Sequence, residues 1–184
     1  VDEHGQVNLV FNNAGVALGA GVETMSIEDF EWLMGINFWG VVHGTQAFLP
    51  HLKATGSGHV VNVSSVFGLV SIPSQSAYNA AKFAVRGFTD ALRIELDAER
   101  CGVSSTTIHP GGIKTNIARN ARFDPALAEA SGDLDPADEF DKLALTTPEK
   151  AARQILKAVE RNRRRPLNGP AAKEIDLVTP PPAD

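Results

Sequence analysis

Cysteine is nearly absent: the 184 residues hold one, Cys101, so no internal disulfide can form and a reducing, cytoplasmic setting is expected. With no motif around it, Cys101 reads as a small packed residue, not a nucleophile. Long hydrophobic runs are missing too, and nothing approaches the roughly 20 apolar residues of a membrane-spanning helix. Positive charge is not in excess: the formal net charge is −5, which argues against a nucleic-acid partner. The one dense basic run, Arg161–Arg165, falls at the end of an expected helix, where cations complement the helix dipole. A phosphate contact is its sharper alternative. The five histidines show no metal-ligand spacing, so no metal is expected. What remains is ordinary for one globular domain, with 43% apolar and 21% charged residues and length enough for a core.

The informative stretch is Val60–Gly87. An apolar run through Val60, Val61 and Val63 ends at Ser64 and Ser65, a Gly- and Pro-containing loop follows, and a helix opens around Tyr78 and Lys82. Tyr and Lys four apart share one helix face. A phenol ionises near pH 10, and a cation beside it favours the phenolate. A serine at the strand end can hydrogen-bond a carbonyl or hydroxyl held close to the phenol. The three side chains together suit proton transfer to or from an alcohol or ketone. The bland alternative is a surface Tyr and Lys on an amphipathic helix.

Ser65, Tyr78 and Lys82, with the serine 13 residues before the tyrosine, resemble the active-site region of the short-chain dehydrogenase/reductase family. Other segments fit the same resemblance. Asn12-Asn13-Ala14-Gly15, after an apolar strand, is similar to the family's turn beside the cofactor; an Asn- and Gly-rich turn that binds nothing is the alternative. Asn37 matches the asparagine that helps anchor the lysine through water. Pro110-Gly111-Gly112-Ile113-Lys114-Thr115 resembles the segment that contacts the nicotinamide, with backbone groups of Ile113 and the Thr115 hydroxyl facing the carboxamide. The resemblance implies NAD or NADP as cofactor and a small alcohol or carbonyl compound as substrate. It also implies a homodimer or homotetramer. Two other readings stay open: a cofactor-binding regulator without turnover, and a catalytically silent fragment.

Periodicity and turn chemistry give the order of elements. Strands are expected at Val7–Phe11, His59–Ser65 and Val103–His109, with a last short one within Leu167–Val178. Ser26 caps a long helix, with Asp29 placed to reach back to it. Gly35, Gly40 and Gly44 weaken that helix, Pro50 can kink it, and Asn37 should distort it locally because its side chain competes for backbone groups. A second long helix covers about residues 76–99, and a third runs from Pro148 to Arg161. Residues 116–147 read as a mobile lid with short helices, and 179–184 as a disordered tail. Alternating strands and helices predict an α/β fold, a Rossmann-like, doubly wound parallel sheet in three α/β/α layers spanning residues 1–178. Ligands in such sheets sit at the carboxyl ends of the strands.

One family element has no counterpart, the glycine-rich turn that opens a helix toward the pyrophosphate. Gly15-x-x-x-Gly19-x-Gly21 copies its spacing, but a helix should open at once and an acidic residue should follow about 20 positions on. Neither does here. The expectation is therefore a domain lacking its first βα units, roughly 60 residues. The Val7–Phe11 strand becomes an exposed apolar edge, and the isolated chain binds nucleotide weakly.

Overall fold

The computed structural model describes residues 3–131, 135–169 and 172. Four parallel strands form the main sheet in the order β1-β3-β4-β6: β1 Leu9–Asn12, β3 Gly58–Val63, β4 Val103–Pro110 and β6 Leu167–Asn168. The register is uninterrupted from Leu9 opposite His59 to Asn12 opposite Asn62, and from Gly58 opposite Val103 to Val63 opposite Ile108. The strand expected at Val7–Phe11 is thus shifted to end on Asn12, whose side chain bonds its register partner Asn62 at 2.8 Å. The last strand is only two residues long, and the rest of the stretch assigned to it lies outside the described residues except Gly169 and Ala172. The expected tail at 179–184 lies outside them as well.

One face of the sheet is covered by two helices, α2 (Gly40–Thr55) and α3 (Ser76–Glu99). Val10, Val60 and Val103 pack there against Leu52 of α2 and Leu92 and Leu96 of α3. On the opposite face, Thr106 meets the chain just beyond α6 (Pro148–Glu160), and α6 lies against β4 and β6. The helices on both faces make the three-layer α/β/α fold. At β1 that second face is bare: Leu9 is 43% and Phe11 40% exposed. The expected apolar edge is present.

The first long helix is one rod with a defect in it. Ser26 caps α1 (Ile27–Met34) by accepting the Asp29 amide at 3.1 Å, and Asp29 reaches back to the serine hydroxyl at 3.0 Å. Residues Gly35–Trp39 then widen into a π-helical turn, closed by the Gly40 amide on the Gly35 carbonyl, before α2 continues. The distortion expected at Asn37 falls on this turn. Gly44, which reads as a weak point in sequence, gives space: a Cβ there would lie 2.2 Å from Asn12 Oδ1.

The expected lid contains α4 (Pro125–Ser131) and α5 (Pro136–Leu143). A two-stranded parallel ribbon precedes them, β2 (Leu18–Gly19) against β5 (Arg122–Phe123). The Gly15/Gly19/Gly21 spacing therefore ends in a strand, with no helix before Ile27.

Candidate active site

Ser65, Tyr78 and Lys82 converge where β3 ends and α3 begins, at the carboxyl edge of the sheet. The strand end and the helix are stitched together twice through backbone. Lys82 Nζ donates to the Val63 carbonyl at 2.9 Å, and the Ser64 hydroxyl donates to the Lys82 carbonyl at 2.7 Å. Gly68 completes the stitch, since a Cβ there would lie 2.3 Å from Ser64 Oγ and 2.7 Å from the Lys82 carbonyl. Ser65 caps the single 3-10 turn Val66–Gly68 by accepting the Phe67 amide at 3.1 Å. Asn79, beside the tyrosine, binds the loop after that turn by donating to the Phe67 and Val70 carbonyls.

Tyr78 is buried among Leu18, Ala20, Leu33, Ala77 and Ala81, with the Phe67 ring edge-on at 6.3 Å. Lys82 Nζ stands over the phenol ring, 5.5 Å from its centroid. Burial pushes the phenol up to about 12, and the hydrogen bond with the Ser65 hydroxyl pulls the other way. Burial likewise lowers Lys82 to about 8. A cation beside a phenol is expected to depress it. In this state desolvation dominates, because both groups are enclosed and the ammonium is bound to the Val63 carbonyl.

Asn37 is fully buried. Its amide donates to the Val16 carbonyl and its oxygen accepts the Val16 amide, both at 2.8 Å. Its side chain thus clasps the turn after Gly15. Asn12 directs its amide nitrogen inward to Asn62, Thr45 and Val41, so it fixes the base of that turn. Asn62 continues the chain of bonds to Thr89 on α3. The turn itself, Asn13-Ala14-Gly15, is exposed. A Cβ on Gly15 would sit 3.5 Å from Asn37 Oδ1 and 3.6 Å from Lys82 Nζ, so the bare glycine leaves an approach to both.

Across the pocket, Pro110 ends β4 opposite Asn168, whose carbonyl accepts the Gly111 amide. Ile113 bridges Thr146 through its neighbours: the Gly112 carbonyl accepts from Thr146 and the Lys114 amide donates to it. That bridge does not use the peptide N–H and C=O of Ile113 itself, as a carboxamide partner requires. Thr115 is exposed in a hollow with Lys114, Asn116, Arg119 and Asp141.

Sequence reasoning passed over His109. It is buried, and its Nδ1 lies 2.9 Å from the Ser65 carbonyl. It also passed over the lid's partners. Arg122 pairs with Asp29 at 2.8 Å and stacks on Trp32 at 3.7 Å, and Arg119 pairs with Asp138 and Asp141 on α5. Both arginines are thus engaged within the chain. Among the described residues there is no cluster of three or more potential metal ligands, and no helix long and apolar enough to cross a membrane.

A parallel sheet between helix layers, with a serine, tyrosine and lysine gathered at its carboxyl edge, defines a Rossmann-type α/β domain. The family model for short chain dehydrogenase matches residues 1–126. The Mycobacterium tuberculosis protein SadH is 49% identical over 179 residues, covering 97% of this chain and 63% of SadH. Dehydrogenase/reductase SDR family member 7B of Xenopus laevis is 36% identical over 160 residues, 87% of this chain and 47% of that protein. The chain thus spans less than two thirds of either relative. Two solved structures align closely. A short-chain dehydrogenase/reductase from Burkholderia phymatum in complex with NAD gives a TM-score of 0.84 at 28% identity, covering all of this chain and 71% of the other. One from Burkholderia cenocepacia in complex with NADP gives 0.75 at 26%, covering 97% and 67%. The chain belongs to the short-chain dehydrogenase/reductase family.

Proposed function

We propose that this chain carries the chemical half of an NAD- or NADP-dependent oxidoreductase interconverting a secondary alcohol with a ketone or aldehyde. The observation that carries the reading is the meeting of Ser65, Tyr78 and Lys82 beneath the open backbone of Gly15. In the oxidation direction Tyr78, as the phenolate, would take the alcohol's O–H proton, and a nicotinamide, where bound, would supply the acceptor for the C–H hydride. Reduction runs both transfers backward, with Tyr78 as the proton donor. A phenol held near 12 is protonated at neutral pH, so in this state Tyr78 is set to donate. Ser65 orients and polarises the substrate oxygen beside the phenol. Lys82 supplies the charge next to Tyr78 and faces the ribose. Asn37 holds the turn that carries Gly15 and orders the proton path at Lys82. Asn12 and Ala14 shape the same turn, while Pro110, Gly111, Ile113 and Thr115 receive the carboxamide.

The remaining expectations belong to the same reading: a lid at 116–147, a homodimer or homotetramer, and a cytoplasmic location. The test is nucleotide oxidation with a panel of ketones and aldehydes, on this chain and on a version extended upstream. Tyr78→Phe should lower kcat by roughly 10²–10⁴-fold, the usual contribution of a positioned acid–base group. If Tyr78→Phe turns over as fast as its parent, the reading fails. A second reading, that these residues hold nucleotide too weakly to turn over unaided, is favoured by the exposed Leu9 and Phe11 on β1. Activity of the 184-residue chain alone would exclude it.

A further inference from the structure

His109 is a buried titratable side chain that the chemistry above leaves without a task. We propose that it is a positioning residue: as the neutral Nδ1–H tautomer it donates to the Ser65 carbonyl and fixes the serine against Tyr78, an inference that rests on the Ser–Tyr–Lys reading.

A carbonyl only accepts, so the 2.9 Å contact places the ring proton on Nδ1. The Ser65 carbonyl also accepts the Gly68 amide at 2.9 Å, so two donors converge on it. Their origins differ. Gly68 belongs to Ser65's own turn and says nothing about where that turn sits on the sheet. His109 belongs to β4, one residue before Pro110-Gly111, and ties the serine to the strand that carries the other wall of the pocket. The other ring nitrogen, Nε2, is enclosed and has no partner among the described residues, so the bond to Ser65 is the one polar tie that holds the ring. Burial lowers the imidazole to about 4; Arg86 and Arg165 nearby act in the same direction, and only the bond to Ser65 opposes them. The ring therefore stays neutral across the working range of pH.

Two amide variants separate positioning from mere filling of space. Asparagine puts its nitrogen where Nδ1 lies, and glutamine puts it where Nε2 lies. In the upstream-extended protein, assayed with the alcohol and nucleotide its parent turns over fastest, His109→Asn should retain most of kcat. His109→Gln should lose about ten- to a hundredfold in kcat, the scale of a sub-ångström to ångström misplacement, with the nucleotide KM unchanged. The apparent pKa of alcohol oxidation should rise in His109→Gln alone, because Ser65 is the neighbour that lowers the Tyr78 phenol while Lys82 stays in place. Equal kcat and equal pH profiles for the two variants would overturn the inference while leaving the Tyr78→Phe result standing. A fully active Tyr78→Phe protein would remove its basis. Should either histidine variant fail to fold, nitrogen-15 NMR of the parent decides: a ring protonated on Nδ1 alone at neutral pH is required, and the other tautomer or a charged ring overturns it.

Discussion

The two walls of the pocket are held by different physics. On the β3–α3 side, polar side chains bond to backbone in enclosed surroundings: Lys82 to Val63, Ser64 to Lys82, His109 to Ser65 and Asn37 to Val16. On the side of residues 114–143, the side-chain ties include ion pairs between half-exposed groups: Arg122 with Asp29, Arg119 with Asp138 and Asp141, Lys142 with Glu139. A buried bond to a backbone carbonyl has few alternatives and resists salt, whereas an exposed pair competes with water and is screened. The groups that must keep their distances for proton transfer are on the first wall. The ion pairs on the second are the ones that water and salt can replace.

The sharpest way to break the contrast is to crowd the first wall. Gly68→Ala places a methyl against Ser64 Oγ and the Lys82 carbonyl; the carbonyl cannot move without shifting α3, and the hydroxyl turns away only by giving up its bond to that carbonyl. Overpacking of this kind costs roughly 1–3 kcal/mol, read as a lowered urea midpoint. Turnover should fall with it. A variant as stable and active as its parent would show that this wall is softer than its bonds suggest.

A smaller effect separates the walls by pH. Lys82 sits at about 8 in the fold against an ordinary 10.5, so the fold disfavours its charge; stability should recover as pH rises through that window. Tyr78, at about 12 against an ordinary 10, works oppositely: its contribution is whole below pH 10 and is lost as pH climbs through 12. Lys53 and Lys142 are raised by Glu99 and Glu139, and their contributions also decline at high pH, as a shallow background. Lys82→Met removes only the first term. The urea midpoint of the parent relative to Lys82→Met should therefore improve between about pH 8 and 10. A constant difference would mean the lysine is not desolvated as the structure has it.

How much of this was legible in sequence follows from the range of each interaction. Tyr78 and Lys82 were readable because a helix brings positions four apart together, and Ser65 because a strand end precedes them at the family's spacing. The π-helical turn was half readable, since an asparagine among glycines in mid-helix signals trouble without saying which carbonyl it will seek. His109 carried no local signal: its partner lies 44 residues away on a neighbouring strand. A Tyr-x-x-x-Lys pattern shows the cation beside Tyr78 but hides the burial that pushes the phenol upward. The β2–β5 ribbon could not be seen at all, as two-residue strands have no period.

The least effect should come from the second wall. Arg122 joins Asp29, some 93 residues earlier, and covers the Trp32 ring, while its own peptide amide donates to the Ala17 carbonyl in the β2–β5 ribbon. Arg122→Ala removes the charge and the stacked guanidinium but leaves that backbone bond. Asp29 lies at the surface, held below its usual range first by the bond to Arg122 and then by Ser26, so water and salt replace the lost partner readily. The stacking on Trp32 is worth more than the ion pair, and Arg122→Lys, which keeps the charge without the planar fork, should behave more like alanine than like arginine. Both variants should raise the substrate KM a few-fold with kcat and urea midpoint little changed, and the gap from the parent should narrow as salt is added. A loss of kcat comparable to that of Gly68→Ala would show that the two walls are coupled, and that the clasp at Arg122 sets the geometry around Tyr78 as well as access to it.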